Sequence, residues 1–312
     1  MKTKKILIIG GTGFIGLNIL RKIEASTYFD SYQIVLLSRS NKSLEFSNYD
    51  IIYVQGDYTC ATTLRGLFKQ HNFENVLHLA STTVPVNSNI NIYNDVEVNL
   101  MSTIKLLEMM VEFNCLSIVF LSSGGALYGE GTNQPFKEMD SCKPISSYGI
   151  IKWTIERYLE IYQKKHNINY LILRISNVYG PYHYALHQGV INVAIKKALK
   201  GEIINVWGDG SQTKDYIYSE DLAEIIISLI QGKTANEILN IGSGESVSLK
   251  FIIFLIQRLI PSAKFHYQTN KISDIPNVYL NIDRLKALIP FSLHSINDGI
   301  YKTFEWTRKN LN

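Results

Sequence analysis

A short strand, a glycine-rich turn and a helix open the 312-residue chain and constrain its fold more than any other stretch. The run Ile6–Ile9 is apolar throughout, as expected of a parallel strand that is buried on both faces. Gly10–Gly16 follows, and apolar residues then recur at helical spacing over Leu17–Ile23. The first glycine of the turn permits a tight bend, the third lets the backbone approach a pyrophosphate, and the last allows close packing of helix and strand. The pattern predicts a dinucleotide site, and the alternative is a plain glycine-rich loop.

Composition excludes several classes of protein. With 46% hydrophobic and 19% charged residues, the chain is typical of folded globular proteins and not of disordered ones. The formal net charge of +4 suits an anionic ligand, but no dense Lys/Arg tract indicates nucleic acid. No apolar run reaches about 18 residues, so we expect no membrane span. Cys60, Cys115 and Cys142 lack metal-ligand spacing, and we therefore expect no metal site and reduced thiols in a cytoplasmic protein.

Further apolar runs predict additional strands of the same sheet. They are Gln33–Leu37, Ile51–Asp57, Glu74–Ala80, Ser117–Leu121 and Ile168–Ile175. Because ligands of doubly wound sheets lie beyond the carboxyl ends of the strands, the polar residues that follow these runs are candidates for binding. Asp57 and Tyr58, at the end of the third strand, are predicted to meet an adenine.

The end of the second strand bears on the choice of dinucleotide. An acidic residue there would accept hydrogen bonds from the adenosine ribose and select NAD. This chain has Ser38, Arg39 and Ser40 instead, with Lys42 close by. A hydroxyl and a guanidinium suit a 2′-phosphate, so the sequence favours NADP(H) and leaves NAD(H) open. The alternative is an ordinary exposed arginine in a loop.

Tyr148 and Lys152 form the candidate proton-transfer pair. Four residues apart in an apolar-periodic run, they are expected on one face of a helix. A nearby ammonium lowers the pKa of a phenol, which helps a tyrosine exchange protons at neutral pH. Asn99 lies among apolar residues of another predicted helix, Tyr93–Phe113. It either ties that helix to a neighbouring backbone or holds a water behind Lys152, and the two roles are compatible.

These features occur together with other motifs in a characteristic order. The motifs are Gly10–Gly16, His78–Ala80, Asn99, Ser122–Ser123, Tyr148–Lys152, Arg174–Pro181, Trp207–Leu222 and Asn240–Gly244. In order and spacing they resemble the extended short-chain dehydrogenases/reductases that act as nucleotide-sugar epimerases, dehydratases and reductases. The resemblance covers nearly the whole chain.

The resemblance implies an α/β fold, a Rossmann-type doubly wound parallel sheet with a smaller C-terminal substrate-binding domain. Residues 1–178 and about 215–244 would bind the dinucleotide, with Glu237–Ile241 returning as a strand to the main sheet. About 179–214 and 245–312 would hold a nucleoside-diphosphate sugar, with a helix over Lys250–Ile260. The implied cofactor-binding residues are Gly10, Thr12, Gly13, Phe14, Ile15, Gly16, Ser38, Arg39, Asp57, Tyr58, Leu79, Ala80, Ser81, Asn99, Ser122, Tyr148 and Lys152.

The implied catalytic residues are Tyr148, Lys152 and a hydroxyl side chain. Tyr148 would exchange a proton with a sugar oxygen, and Lys152 would lower its pKa and bind the nicotinamide ribose. The position where relatives carry the Ser or Thr is Gly124 here, so Ser123 is the best candidate and Ser122 the next; Thr82 or Thr83 would also serve. Relatives that eliminate water carry an Asp-Glu pair at the next two positions, which are glycine and alanine here, and this argues against a 4,6-dehydratase.

The implied substrate-binding residues are Thr82, Thr83, Ser123, Asn177, Gln188, Val190, Val206, Trp207, Lys214, Lys271 and Asp274. Val206 and Trp207 would line the base pocket. Lys214 and Lys271 stand where relatives often have arginine, and they would neutralise a diphosphate without a bidentate fork. For both lysines the alternative is a solvated surface side chain.

Three functions remain open on the sequence. The favoured one is an NADPH-dependent reductase of a 4-keto-6-deoxy sugar nucleotide, dTDP- or UDP-linked, for surface polysaccharide synthesis. The second is a nucleotide-sugar 4-epimerase that keeps NAD bound, and the third is an inactive dinucleotide-binding sensor. The family also implies a homodimer built from the Asn99 and Tyr148 helices. The apolar stripe Ile151, Ile155, Leu159 and Tyr162 would face the partner or, equally well, the core.

Overall fold

A computed structural model of the chain describes residues 4–39, 51–129, 134–185, 188–269 and 277–311. The strands are β1 (Lys4–Ile9), β2 (Tyr32–Ser38), β3 (Ile51–Gln55), β4 (Phe73–His78), β5 (Ser117–Ser123), β6 (Asn169–Ile175), β7 (Asn177–Tyr179), β8 (Ile203–Trp207), β9 (Thr213–Lys214), β10 (Tyr216–Tyr218), β11 (Glu237–Ile241), β12 (Val247–Ser248), β13 (Lys264–Gln268) and β14 (Asn277–Val278). The helices are α1 (Phe14–Glu24), α2 (Ala61–Gln70), α3 (Ile92–Asp95), α4 (Ser102–Glu112), α5 (Gly124–Tyr128), α6 (Ser147–His166), α7 (Val190–Leu199), α8 (Ser219–Gln231), α9 (Leu249–Leu259), α10 (Asp283–Leu288) and α11 (Ile296–Asn310).

Seven strands form one parallel sheet in the order β11-β6-β5-β4-β1-β2-β3. The strand order reverses between β1 and β4, so the turns that follow these two strands flank the switch point where dinucleotides bind in such sheets. The Rossmann-type fold expected from the sequence is confirmed, including the return of Glu237–Ile241 beside β6.

The apolar run of β1 explains why the sheet is covered on both faces. Ile6 and Ile8 point into one core cluster, whereas Leu7 and Ile9 point into a second cluster on the opposite face. All four side chains are at most 1% exposed. Because successive side chains of a strand alternate between faces, an uninterrupted apolar run requires helices on both sides.

A third core cluster belongs to the C-terminal half. It joins α7, β8 and α9 with Tyr179 and Ile300. The segment around Leu280 and Leu285 packs instead against a core cluster of the seven-stranded sheet. The division into a dinucleotide domain and a substrate domain stays a prediction.

The predicted helix over Tyr93–Phe113 is continuous but not uniform. A π-helical stretch, Val96–Met101, separates α3 from α4 and contains Asn99. Such wider turns are frequent at functional sites. Among the described helices, none combines the length and the apolar character that crossing a bilayer would require.

Candidate active site

The glycine turn forms a cradle beyond the carboxyl end of β1. Gly10 has a φ of +86°, and a Cβ there would lie 2.8 Å from the backbone nitrogen of Ala80. No side chain caps the start of α1, where Gly13 precedes the first turn. A Cβ on Gly16 would lie 2.4 Å from the backbone of Gly11, so the last glycine packs against the turn itself. A close backbone approach beside an uncapped helix start fits a diphosphate.

The glycine turn is joined to the end of β2. The hydroxyl oxygens of Thr12 and Ser38 are 2.8 Å apart, and Arg39 follows as an exposed side chain. Phe14 and Ile15 begin α1 on the other side of the turn. The predicted residues for a ribose or a 2′-phosphate therefore lie beside the cradle.

The end of β3 departs from the sequence prediction in one residue. Asp57 is partly exposed and accepts from the backbone nitrogen of Thr59 at 2.9 Å. Tyr58 is buried, and its hydroxyl donates to the carbonyl of Val98 at 3.1 Å. The Tyr58 side chain is thus a core residue tied to the neighbouring helix, and the prediction that it meets an adenine is not supported by this arrangement.

The loop after β4 reaches the switch point from the other side. The amide of Leu79 donates to the carbonyl of Ile9 at 2.9 Å, and Ala80 lies over Gly10. Ser81 is exposed, and its hydroxyl donates to the carbonyl of Thr83 at 2.9 Å.

Tyr148 and Lys152 lie on the first two turns of α6, as their spacing predicts. The Lys152 ammonium is 5.7 Å from the centroid of the Tyr148 ring and donates to the carbonyl of Leu121 at 2.7 Å. Burial lowers the pKa of Lys152 to about 8, although the nearby charge of Glu156 opposes the shift.

Burial sets the pKa of Tyr148 in this structure, and the expectation that Lys152 lowers that pKa stays a prediction. Part of the Tyr148 side chain reaches the surface, but its surroundings desolvate the phenol, and burial raises its pKa to about 12. A hydrogen bond from Ser123 opposes this rise, whereas the charge of Asp95 adds to it. Desolvation therefore dominates, and a phenol with this pKa keeps its proton at neutral pH.

Ser123 is the hydroxyl that the fold brings to Tyr148. It caps α5 by accepting from the amide of Ala126 at 3.3 Å, and its hydroxyl lies near enough to the Tyr148 phenol to lower the pKa of that phenol against the effect of burial. The hydroxyl of Ser122 instead donates to the buried carboxylate of Glu156 at 2.6 Å, so its side chain serves the interior. A Cβ on Gly124 would lie 2.7 Å from the side chain of Leu280, which occupies the space beside the position where relatives carry a hydroxyl.

Asn99 is committed to the loop that carries Thr82 and Thr83. Its side-chain oxygen accepts from the Thr82 amide at 3.0 Å, and its amide nitrogen donates to the Thr82 hydroxyl at 2.8 Å and to Asp95 at 2.8 Å. The Thr83 hydroxyl donates to Asp95 at 2.6 Å. The structure thus supports the role of Asn99 in tying its helix to a neighbouring backbone. The hydroxyls of Thr82 and Thr83 are bonded to Asn99 and Asp95, so neither takes the position that Ser123 fills.

A cavity of about 10 Å³ lies among Tyr148, Lys152, Asn99 and His78. This is about the volume that one water needs. The Thr103 hydroxyl donates to the carbonyl of Asn99 at 2.7 Å, so the 3.0 Å contact with His78 requires the hydrogen on Nε2 of that imidazole. Nδ1 of His78 lacks a partner among the described residues, and burial together with the Lys152 charge lowers the His78 pKa to about 3. A water behind Lys152 stays a prediction.

A buried ion pair supports the helix one turn beyond Lys152. Glu156 accepts from Nε and from a terminal nitrogen of Arg174, at 3.1 and 2.7 Å. Arg174 also donates to the hydroxyl of Tyr128 at 3.0 Å. Burial would lower the pKa of Arg174, but the bonds and charge of Glu156 raise it on balance. Arg174 was noted in the sequence as part of a motif, whereas Glu156, four residues after Lys152, was missed.

A second cavity, of about 230 Å³, lies in the C-terminal half. Val190, Val206 and Trp207, which the resemblance assigns to the substrate side, line it together with Asn205 and Gln212. An apolar pocket with a few amide groups is suitable for a nucleobase.

The other substrate-side residues are placed as follows. Asn177 is exposed and donates to the carbonyl of Asp215 at 3.0 Å. Gln188 is exposed just before α7, and Lys214 is partly exposed in β9. Lys271 and Asp274 lie outside the described residues. Within the described ranges no cluster of His, Cys, Asp and Glu is suited to a metal ion.

A parallel sheet with a glycine cradle at its switch point, and a Tyr, Lys and Ser group beside it, defines a Rossmann-type oxidoreductase. The chain belongs to the NAD dependent epimerase/dehydratase family, whose model matches residues 6–242. It is an enzyme of the extended short-chain dehydrogenase/reductase group that acts on nucleotide sugars.

Relatives within the family carry out different reactions. A dTDP-4-dehydro-6-deoxyglucose reductase from Escherichia coli is 32% identical over 309 residues, which cover 97% of each chain. The crystal structure of a Thermotoga maritima UDP-glucose 4-epimerase with UDP-glucose superimposes with a TM-score of 0.89 at 26% identity, covering 99% of this chain and 100% of the other. The Thermus thermophilus UDP-glucose 4-epimerase in complex with NAD gives a TM-score of 0.86 at 25% identity, covering 97% and 99%.

Proposed function

We propose that the protein is an NADPH-dependent reductase of a 4-keto-6-deoxy sugar nucleotide. The observation that carries this proposal is the basic and hydroxylic end of β2, where Ser38 lies 2.8 Å from Thr12 and Arg39 is exposed. A 2′-phosphate is recognised by such groups, and an enzyme that consumes its reductant typically uses the phosphorylated cofactor. The similarity to the E. coli reductase also supports a reductase.

The residues beside the cradle supply the proton chemistry. When bound, the nicotinamide dinucleotide supplies the hydride for C4 of the sugar. Tyr148, whose pKa of about 12 keeps it protonated, donates its phenolic proton to the C4 oxygen. Ser123 hydrogen-bonds the same oxygen, and Lys152 orients the nicotinamide ribose.

The substrate side accommodates the nucleoside diphosphate. The cavity of about 230 Å³ takes the base against Val206 and Trp207. Asn177 and Lys214 face the diphosphate, with Lys271 and Asp274 assigned there by sequence alone. Contacts inside this cavity determine whether the enzyme accepts a dTDP-linked or a UDP-linked sugar.

A second candidate is a nucleotide-sugar 4-epimerase that retains NAD. The likeness to the T. maritima UDP-glucose 4-epimerase along the whole chain favours it. Such an enzyme would return the hydride to the opposite face of the sugar and would consume no reductant. The bound cofactor therefore discriminates the two candidates.

Replacing Arg39 by alanine should weaken NADPH binding roughly 10- to 100-fold, because a guanidinium–phosphate hydrogen bond contributes about 1.5–3 kcal/mol. NADH binding should change little, since NADH lacks the 2′-phosphate. Dissociation constants for both cofactors, measured by the change in nicotinamide fluorescence, check this prediction.

The wild-type protein provides the wider test of the reductase. We expect it to oxidise NADPH in the presence of a 4-keto-6-deoxy sugar nucleotide. Purification with tightly held NAD⁺, and no NADPH consumption on any such keto sugar, would instead favour the epimerase. Equal losses of affinity for NADPH and NADH in Arg39→Ala would contradict the role of the Arg39 side chain in binding the 2′-phosphate.

We also propose a homodimer, formed through side chains other than the apolar stripe from Ile151 to Tyr162. Ile151, Ile155 and Leu159 are buried against the sheet, so they belong to the core, with Tyr162 partly buried beside them. The outer face of α6 exposes other apolar side chains. They are Ile150 (50% exposed), Trp153 (37%) and Ile161 (44%), and Tyr93 (78%) and Met101 (44%) are exposed on α3 and on the π-helical stretch, which both contact α6. A second copy would cover this face.

Trp153→Glu should therefore convert a dimer into a monomer, because a charge at the centre of an apolar interface is left desolvated and unpaired. Light scattering after size-exclusion chromatography measures the mass. Leu288→Glu is a matched control, since Leu288 is 44% exposed on α10, away from this face. A dimer that survives Trp153→Glu, or a wild-type monomer, would refute the proposed interface.

A further inference from the structure

Asp215 is a buried aspartate between β9 and β10, and only 1% of it is exposed. One carboxylate oxygen accepts from the backbone amide of Ser243 at 2.7 Å and from the Ser243 hydroxyl at 3.0 Å. The other accepts from the amide of Gly244 at 3.1 Å and from that of Leu280 at 3.3 Å. These four donors satisfy an ionised carboxylate, which only accepts.

The loop after β11 packs closely against this carboxylate. Gly242 is the first residue after β11, and a Cβ there would lie 2.5 Å from a carboxylate oxygen of Asp215. Burial raises the pKa of Asp215, and the hydrogen bonds from Ser243, Leu280 and Gly244 oppose that rise. The carboxylate therefore anchors two separate segments, the loop after β11 and the residues after β14, at one point.

The backbone of Asp215 reaches the proposed substrate side. Its carbonyl accepts from the backbone amide of Asn177 at 3.1 Å and from the Asn177 side-chain amide at 3.0 Å. Its amide donates to the carbonyl of Val278 in β14 at 2.9 Å. Lys214 directly precedes it in β9, the middle strand of the small sheet β12-β9-β14. Asn177 is exposed and Lys214 is partly exposed, so both side chains are accessible to a ligand.

We propose that Asp215 is a positioning residue that fixes Asn177 and Lys214 relative to each other for binding of the substrate diphosphate. Its side chain is anchored by four hydrogen bonds, and its peptide groups hold Asn177 by two bonds and Lys214 by direct linkage in the chain. Side chains that are placed before binding lose less conformational freedom when they contact a phosphate, so they bind it more tightly. The inference rests on the proposed assignment of the diphosphate to Asn177 and Lys214.

Asp215→Asn tests the anchor with little change of shape. In asparagine one of the two oxygens is replaced by an NH₂ group, which cannot accept, so two of the four donors lose their partner. The Kd for dTDP or UDP, whichever the wild type binds more tightly, should rise roughly 10-fold. Isothermal titration calorimetry measures this Kd. The Kd for NADPH should stay nearly unchanged, because the four donors and Asn177 lie outside the glycine turn.

Asp221→Asn is a matched control. Asp221 is 6% exposed, and one of its oxygens accepts from the His294 amide at 2.8 Å while the other lies 2.6 Å from Nδ1 of the same residue. The variant also removes a buried carboxylate, but Asp221 ties α8 to the segment before α11. Its affinity for the nucleoside diphosphate should match that of the wild type.

Nucleosides provide a second control, because they lack the diphosphate. Thymidine and uridine should bind to Asp215→Asn as weakly as they bind to the wild type, and NMR titration measures both. A loss of affinity that is equally large for the nucleoside or for NADPH would show general damage to the fold and would overturn the inference.

Two further experiments test whether Asp215 acts through its neighbours. Gly242→Ala displaces the carboxylate without removing its charge, so it should also weaken nucleotide binding, and it serves if Asp215→Asn does not fold. In the Asn177→Ala/Lys214→Met background, Asp215→Asn should add little further loss, because the groups that it positions are gone. A loss as large as in the wild-type background would contradict this role.

Binding of a nucleoside diphosphate is measured without turnover, so the result separates this inference from the proposed function. If the wild type reduces no keto sugar but Asp215→Asn still weakens nucleotide binding, the reductase fails and the role of Asp215 stands. If Asp215→Asn is folded and binds the nucleotide as tightly as the wild type, the inference is wrong. A wild-type protein that binds neither dTDP nor UDP would refute the diphosphate site and the inference with it.

Discussion

Replacing Tyr148 by phenylalanine should lower kcat roughly 100- to 10,000-fold, the usual contribution of a positioned proton donor. The phenol lies near the Ser123 hydroxyl, and its raised pKa of about 12 means that the proton is present over the whole neutral range. Phenylalanine keeps the ring and removes only the acidic group. Steady-state kinetics with NADPH and a 4-keto-6-deoxy sugar nucleotide measure the loss, and the dissociation constant of NADPH should stay within a few-fold of wild type.

Tyr162→Phe is a matched control for this prediction. Tyr162 lies on the same helix, α6, partly buried against the sheet and with its ring 5.4 Å from that of His166. Losing its hydroxyl should leave kcat unchanged. If Tyr148→Phe also leaves turnover unchanged, Tyr148 is not the proton donor, and the sensor interpretation regains support.

Arg174→Met should destabilise the protein by about 3–5 kcal/mol, because it leaves a buried carboxylate without its cation. The side chains of Arg174 and Glu156 are 3% and 0% exposed, and they are joined at 2.7 Å. The variant also removes the bond to Tyr128. The free energy of unfolding, obtained from urea titrations followed by circular dichroism, measures the change.

Arg65→Met is the matched comparison. Arg65 pairs with Glu112 at the surface, where the two side chains are 45% and 42% exposed. Solvent screens that pair, so its loss should cost under about 1 kcal/mol. An Arg174→Met variant no less stable than Arg65→Met would mean that the interior around Glu156 admits water or that the carboxylate takes up a proton at little cost.

The buried pair also bears on catalysis, since Glu156 lies one turn beyond Lys152. Its charge raises the pKa of Lys152 against the effect of burial, and the balance leaves that pKa near 8. At neutral pH Lys152 is therefore largely protonated and can act as a cation toward a ribose or a phenolate. Its charge is lost as the pH rises through about 8.

Much of the fold could be predicted from the sequence because its signals are local. The apolar run before Gly10 specifies a strand covered on both faces, and the glycine pattern specifies the turn after it. The four-residue spacing of Tyr148 and Lys152 requires only a helix to put them on one face. Each of these predictions depends on residues that are close in the sequence, so it changes little with the tertiary packing around them.

Contacts between distant segments decided the rest of the site. Ser122 and Ser123 are adjacent in the sequence, yet the Ser122 hydroxyl bonds Glu156, 34 residues away, whereas the Ser123 hydroxyl acts on the Tyr148 phenol. Asp95 reaches Ser147 across 52 residues. Its position four residues before Asn99 on a predicted helix was the one local sign that it shares a face with a candidate site residue.

The sequence by itself determined the sheet, the cradle and the identity of the tyrosine and the lysine. Only the tertiary structure decided which hydroxyl lies near the phenol, which apolar side chains of α6 are exposed, and in which direction burial shifts the pKa of the tyrosine. The physical reason is that periodicity and glycine geometry are properties of a few consecutive residues. Desolvation and the field of a carboxylate depend on everything that packs around the phenol, and here they raise the pKa of Tyr148 above its usual value.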